Sequence, residues 1–327
     1  MTHYQNYLRP KSLAEAMDAF ANAPRPIIPI AGGTDLLLDL EQGRHSPVQT
    51  LLDVTTIAEL TLLEQRGDEL FIGASVPVNR VALDPLTVRH AEALTEACNL
   101  IAGPQVRNVA TLGGNVAHAL PAADGTIALL ALDVEAEIAS VSTAGRVVSS
   151  RRAEPVEADS EERIETRRIP FKDLFLGPGK SSLKHGEELI VGFYIKTSEF
   201  LENSEVARVS SCFQRIMRPQ GVALPILNCA VWLERESDII KDIHIAVGPG
   251  GGTPFRATQA EDILRGQSLN DSTFESALEA LLAQAQFRTS ARRAGADYRR
   301  HIVSGLFRDT LESAWLRAEV KTTEKTN

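Results

Sequence analysis

Residues 12–22, SLAEAMDAFAN, place Leu13, Met17 and Phe20 on one face at helical spacing. Ser12 with Glu15 makes a capping box at the start of that helix. The apolar run of RPIIPIAGG (25–33) reads as a strand that stops at two glycines, and a leucine-rich run of helical character resumes at Leu36. TLLDVTTI (50–57) is again β-rich, so residues 1–55 are expected to form a small β-α-β-type unit. ELFIGASVPVNRVAL (69–83) reads as strand and bend, and Asp84-Pro85 starts a helix with Pro85 at its first position. Leu94, Cys98 and Ile101 share one stripe, which makes Cys98 a core thiol. A second Gly-Gly follows within 103–133, then a very apolar helix and the strand VEAEIAS (134–140).

The character changes at residues 147–168, a charged stretch low in aromatics that reads as an exposed insertion. Ordered-looking sequence returns through FLGPGKSSLKHGEELIVGFYIK and dips in TSEFLENSE (197–205), the expected domain boundary. Beyond it come three strand-like runs, EVARVSSCFQRI, LPILNCAVWLE and IKDIHIAVGPGG, then helices. Strands followed by helices predict an α+β module. The expected division is therefore 1–55, 56–198 with the insertion 147–168, and 205–320.

A formal charge of −9 argues against a nucleic-acid surface, and there is no polybasic run for anionic lipid. The N-terminus lacks the apolar segment of a signal peptide and no window approaches a membrane span, so a cytoplasmic protein without membrane insertion is expected. Cys98, Cys212 and Cys229 form no CxxC pair, and the histidines show no HExxH or HxH spacing, so no protein-built metal site is expected.

The glycine pairs carry the chemistry. AGGTD (31–35) and TLGGN (111–115) each follow an apolar run. Glycine permits unusual backbone angles and removes the side chain that would hold a phosphate away. Successive amide N–H groups then make a concave anion site. Two such corners suggest one ligand with two phosphates gripped from both sides. Neither matches GxGxxG or GxxxxGK[ST], which disfavours a nicotinamide-type Rossmann site and a P-loop.

In order, PIAGGTDLLLDL, GPQVRNVATLGGNVAHALPAAD, FLGPGKSSLKHGEELI and GGTPFRATQAEDILRG resemble the FAD-binding medium subunits of the molybdenum hydroxylases, over nearly the whole chain. The resemblance implies a PCMH-type FAD fold: two N-terminal α/β subdomains gripping the cofactor and a C-terminal α+β domain with a three-stranded antiparallel sheet. It implies that Pro29, Ile30, Ala31, Gly32, Gly33, Thr34, Asp35 and Leu36 wrap the FAD pyrophosphate, and that Thr111, Gly113, Gly114 and Asn115 hold it from the second loop. Ile101 would pack near the adenine or its ribose, Asp124 would accept from sugar or ribityl hydroxyls, and Ile190 would touch the cofactor through its backbone. No acid–base pair in the sequence demands a bond-breaking role, so no catalytic residue is expected here, as an electron-transfer subunit would show. The chain would relay electrons from a small [2Fe–2S] subunit to an external acceptor, in a heterotrimer with a large molybdenum-cofactor subunit. Relatives of the xanthine dehydrogenase type often carry a lysine where this chain has Gln214, and relatives with an added [4Fe–4S] cluster carry cysteines that the insertion lacks.

Blander readings stand beside these. Asp124 and Asp35 could each cap a helix, Thr34 and Thr111 could stabilise turns, and Tyr194 could be a half-buried strand residue or stack near the flavin. Arg107 could brace the second loop or meet a partner. Rival functions are a free-standing PCMH-type flavin oxidase or reductase, and a scaffold whose glycines only turn the chain.

Overall fold

Ser12 opens the first helix where its spacing predicts. In the computed structural model, which describes residues 3–141, 164–197, 207–218, 224–291 and 293–324, its hydroxyl accepts from the Glu15 amide at 3.2 Å. The Glu15 carboxylate turns back one residue further than a capping box requires, to the Lys11 amide at 2.7 Å. Helix α1 (Leu13–Asn22) buries Leu13, Met17 and Phe20. Beside it lie three short parallel strands, β1 (Asn6–Leu8), β2 (Ile27–Ile30) and β3 (Thr50–Asp53), in the order β1-β3-β2. The hydrophobic pattern gives no sign of β1, which is three residues long and carries one apolar side chain besides Tyr7. The short helix α2 (Leu36–Glu41) follows the first glycine corner.

A five-stranded antiparallel sheet comes next. Its strands are β4 (Leu63–Arg66), β5 (Glu69–Gly73), β6 (Glu135–Val141) and β7 (Ile164–Pro170). After the hairpin of β8 (Phe175–Gly177) and β9 (Lys180–Ser181) comes β10 (Glu188–Lys196), and the order is β4-β5-β10-β6-β7. Residues 164–168, expected inside the charged insertion, are the start of β7. The remainder of that stretch, 147–163, and the expected boundary from residue 198 lie outside the described residues.

Between β5 and β6 run six helices: α3 (Val78–Leu83), α4 (Pro85–His90), α5 (Glu92–Leu100), α6 (Pro104–Arg107), α7 (Leu112–Ala117) and α8 (Asp124–Ala131). Residues 78–83, expected as strand and bend, form α3 because Val78 and Val81 bury on one helical face. Asp84 caps α4 as predicted, accepting from the Leu86 amide at 2.9 Å. That helix breaks at Ala91 (ψ 56°) before α5 resumes.

The C-terminal sheet is antiparallel, in the order β11 (Ala207–Ile216), β12 (Leu227–Glu236), β13 (Ile239–Gly248) and β14 (Phe255–Arg256). The two-residue β14 adds to the three strands expected. Alternation along the strands gives the sheet two apolar faces. Phe213, Ala230, Trp232 and Ala246 join the core that contains α5 and α8. Cys212, Cys229, Val231 and Ile245 face α9 (Thr258–Leu264), α10 (Asp271–Gln284) and α11 (Ala296–Glu324). The architecture is the α+β arrangement expected. Among the described residues no helix is long and apolar enough to cross a membrane.

Candidate cofactor-binding site

The first glycine corner is anchored from below by Asp53. In the parallel ladder Asp53 stands opposite Ile30, the last residue before the corner. Its carboxylate accepts from the Tyr7 hydroxyl (2.8 Å), the Thr55 hydroxyl (2.6 Å) and the Thr55 amide (3.0 Å), with Arg9 at 3.3 Å. Burial pulls the Asp53 carboxyl upward, but these hydrogen bonds and Arg9 outweigh it and hold its pKa below the usual aspartate value. The chain then turns through Gly33 (φ +67°), which returns its carbonyl to the Leu37 amide at 3.0 Å. The amides of Gly32, Gly33, Thr34 and Asp35 have no hydrogen-bond partner among the described residues. Asp35 occupies the N-cap position of α2 without a capping bond and is largely exposed, so the cap reading of this residue fails.

The second corner is built differently. Thr111 is the N-cap of α7, and its hydroxyl accepts from the Gly114 amide at 3.1 Å. The Gly113 amide donates to Ala74 O at 2.8 Å, and the Asn115 amide to Thr111 O at 3.0 Å. The amides expected to grip a phosphate here are therefore engaged within the chain, because this corner is a capped helix start pressed on the end of β5. Gly113 is required by contact: a Cβ would lie 2.6 Å from Ala74 O. Gly114 is exposed, and a Cβ there would meet only Thr111 Oγ1. Ala74 in turn donates to Val191 O at 2.9 Å, beside a bulge between Ile190 and Gly192, which ties the buried Ile190 to this corner. Arg107 Nη1 donates to the carbonyls of Ile101 (3.0 Å) and Ala102 (2.7 Å), bracing the turn at Ile101.

The two corners meet. A Cβ on Gly32 would stand 2.1 Å from Val109 O, 2.6 Å from Val109 C and 2.9 Å from Ala110 Cα. Gly32 thus lies backbone to backbone against the chain entering the second corner. Across the same seam His118 Nδ1 stands 3.7 Å from Asp35 Oδ2.

Asp124 lies behind this seam. Its side chain is 5% exposed, with Oδ2 at 2.5 Å from Arg215 Nη1 and Oδ1 at 2.7 Å from Asn228 Nδ2. It neither caps α8 nor presents a free carboxylate, since both oxygens are held by the C-terminal sheet. Arg215 and Asn228 escaped the sequence reading. Arg215 lies one residue beyond Gln214, and strand alternation separates the two: Gln214 turns toward Ser313 Oγ (3.3 Å) of α11, while Arg215 turns toward α8. Tyr194 is buried under the Arg168 guanidinium, 3.3 Å from the ring centroid, and its hydroxyl is taken by Arg66 and Glu137. His185 belongs to an open cleft of about 500 Å³ with Arg25, Ile28 and His45, along β2.

Unpaired amides at 32–35 and an open Gly114 suit an anion in direct contact with backbone. Among the described residues no group of three His, Cys, Asp or Glu is placed to hold a metal. Residues 2–151 match the family model described as the FAD binding domain in molybdopterin dehydrogenase, and residues 211–314 match the CO dehydrogenase flavoprotein C-terminal domain. The chain is 31% identical over 312 residues to the nicotine 6-hydroxylase medium subunit of Paenarthrobacter nicotinovorans, covering 95% of this chain and 97% of that one. It is 29% identical over 315 residues to the xanthine dehydrogenase FAD-binding subunit of Escherichia coli O157:H7, covering 96% and 97%. Its fold matches a chain of carbon monoxide dehydrogenase from Hydrogenophaga pseudoflava with a TM-score of 0.81 at 24% identity, over 96% and 98% of the two chains.

Proposed function

This chain belongs to the family of FAD-binding medium subunits of molybdenum-containing oxidoreductases, and on that premise we propose that it is an electron-relay subunit, passing electrons from a small [2Fe–2S] partner to an external acceptor within a heterotrimer that also holds a large molybdenum-cofactor subunit. Bound FAD supplies the redox couple, and the chain supplies binding and orientation. The modules 1–55 and 56–198 hold the cofactor between them, and 205–320 supports them from behind.

The carrying observation is the contact of Gly32 with Val109 and Ala110, which brings both glycine corners to one seam. The residues divide the work. The amides within Pro29–Leu36 at Gly32, Gly33, Thr34 and Asp35 donate to the diphosphate, with Ile30 and Ala31 setting the approach from β2. Thr111, Gly113, Gly114 and Asn115 form the opposing wall, where Gly114 leaves room for the phosphates. Ile101, braced by Arg107, flanks the site with apolar surface, and the buried Ile190, tied in through Val191 and Ala74, meets the cofactor through its backbone. Asp124 contributes from behind through its bonds to Arg215 and Asn228.

Affinity purification of the native assembly with metal and flavin analysis tests this. The expected result is FAD on this chain together with partners carrying molybdenum and [2Fe–2S] iron. A chain that carries FAD but elutes alone sinks the relay and leaves a free-standing flavoprotein. A colourless chain sinks both.

A further inference from the structure

Helix α8 starts at Asp124-Gly125, and this first turn is wedged between two bodies. On one side is the second glycine corner: a Cβ on Gly125 would stand 2.9 Å from Asn115 Oδ1 and 3.2 Å from the Leu112 side chain. On the other is the C-terminal sheet. Arg215 and Asn228 face each other across the β11–β12 ladder, so their side chains leave the same face together. Arg215 takes Asp124 Oδ2 at 2.5 Å, while Asn228 Nδ2 takes Oδ1 at 2.7 Å and the Ala122 carbonyl at 3.2 Å.

The third strand completes the seat. Gly248 pairs with Asn228 in the β12–β13 ladder, and a Cβ there would lie 2.4 Å from Asn228 Oδ1, 2.7 Å from Ile127 Cγ1 and 2.8 Å from Pro121 O. The far end of α8 is held by the same sheet, with His244 Nδ1 at 3.1 Å from Ala131 O and Arg256 Nη1 at 3.0 Å from Asp133 Oδ1. A row of Arg, Asn and Gly across three strands therefore receives α8. Glycines at both contacts of its first turn leave no slack for the helix to shift without moving Asn115 and Leu112.

We infer that Arg215 and Asn228 are positioning residues: by seating α8, the C-terminal sheet fixes residues 111–117 of the second glycine corner, and so sets cofactor affinity through that corner. This rests on the reading of the corners as the FAD site. The test compares wild type with Arg215→Lys, Arg215→Met, Asn228→Ala and the charge-neutral pair Asp124→Asn with Arg215→Met, which remains informative if a lone buried carboxylate unfolds the single variant. Three quantities are read: FAD Kd by titration of deflavinated protein, Tm without FAD, and amide hydrogen exchange.

The expected result is a Kd raised at least tenfold in Arg215→Met or the neutral pair and in Asn228→Ala. Exchange should be faster at 111–117 but not at 31–36, and Arg215→Lys should recover most of the affinity. Folded variants that bind FAD within twofold of wild type overturn the inference, whatever their Tm. So does weakened binding with unchanged exchange at 111–117, which would mean direct contact with the cofactor. A wild-type chain that takes up no FAD sinks the proposed function, while the exchange arm still decides whether Arg215 and Asn228 hold the corner.

Discussion

Gly32→Ala is the sharpest probe of the seam. Gly32 is not in the left-handed region, so alanine costs nothing there in backbone angle; the constraint is contact. The new Cβ would sit 2.1 Å from Val109 O, against an ordinary carbon–oxygen approach of about 3.3 Å. The other close atoms, Val109 C and Ala110 Cα, are also backbone, so no side chain can rotate away. The corners must separate by about 1 Å, and overpacking of this kind costs about 1–3 kcal/mol. If that cost falls on the cofactor-binding geometry, FAD affinity drops about 5- to 150-fold. The assay is FAD titration of deflavinated protein, with Gly305→Ala as control, since that helical glycine has nothing within 4 Å of its Cβ position. The control should bind FAD like wild type and gain about 1 kcal/mol of stability. Gly32→Ala binding FAD within twofold of wild type, at unchanged Tm, would refute a close-packed seam between the corners.

Gly114→Asp should strip the flavin while leaving Tm near wild type, because the position is exposed, its new Cβ presses only on Thr111 Oγ1, and the side chain brings a negative charge to the phosphates; retained flavin in the purified protein would place the phosphates elsewhere. Asp53→Asn should lower Tm at pH 7 by about 2–4 °C for each kcal/mol lost. Because the Asp53 pKa is depressed in the fold, its share of stability is fully present above the ordinary value of about 4 and disappears as pH falls through the folded value. The melting curves of wild type and the Asp53→Asn variant should therefore converge in acid, and a gap that persists at low pH contradicts the assignment. Burial pushes the Cys212 and Cys229 thiols up to about 12 and raises Cys98 as well. A thiol reagent should accordingly find no reactive cysteine in the native chain and all three after denaturation.

The parts of this molecule that were legible in the sequence are those governed by neighbours along the chain. The Ser12 cap, the Asp84-Pro85 helix start and the Cys98 stripe each follow from spacing within a few residues. The glycine pairs were visible for the same reason, as local permission for unusual backbone. What those glycines are for was less visible. Gly33 serves a turn, whereas Gly32, Gly113 and Gly248 serve close approach to Val109, Ala74 and Asn228. Only tertiary structure distinguishes these uses. Arg215 was missed because its role depends on strand register: a shift of one position moves a side chain from the α11 face to the α8 face. The partners of Asp124 were not visible because they lie 91 and 104 residues away in sequence.

The asymmetry between the corners has a physical origin. Glycine at the first corner faces a turn and a neighbouring backbone, and the amides from Gly32 to Asp35 keep their donors. At the second corner, Thr111 caps α7 and Ala74 pairs with Gly113, so the same number of glycines yields a rigid wall with its donors spent internally. A diphosphate needs both: donors to offset its charge, and an unyielding surface that holds it against them. Rigidity in the second corner is useful only if its distance from the first is fixed. That distance is set in front by Gly32 on Val109 and behind by α8 on Arg215, Asn228 and Gly248. Substitutions at either boundary should therefore act on the same quantity, the spacing of the corners. Gly32→Ala, which widens the seam in front, and Asn228→Ala, which loosens it behind, should combine non-additively in FAD affinity; additive losses would mean that the two contacts control separate features.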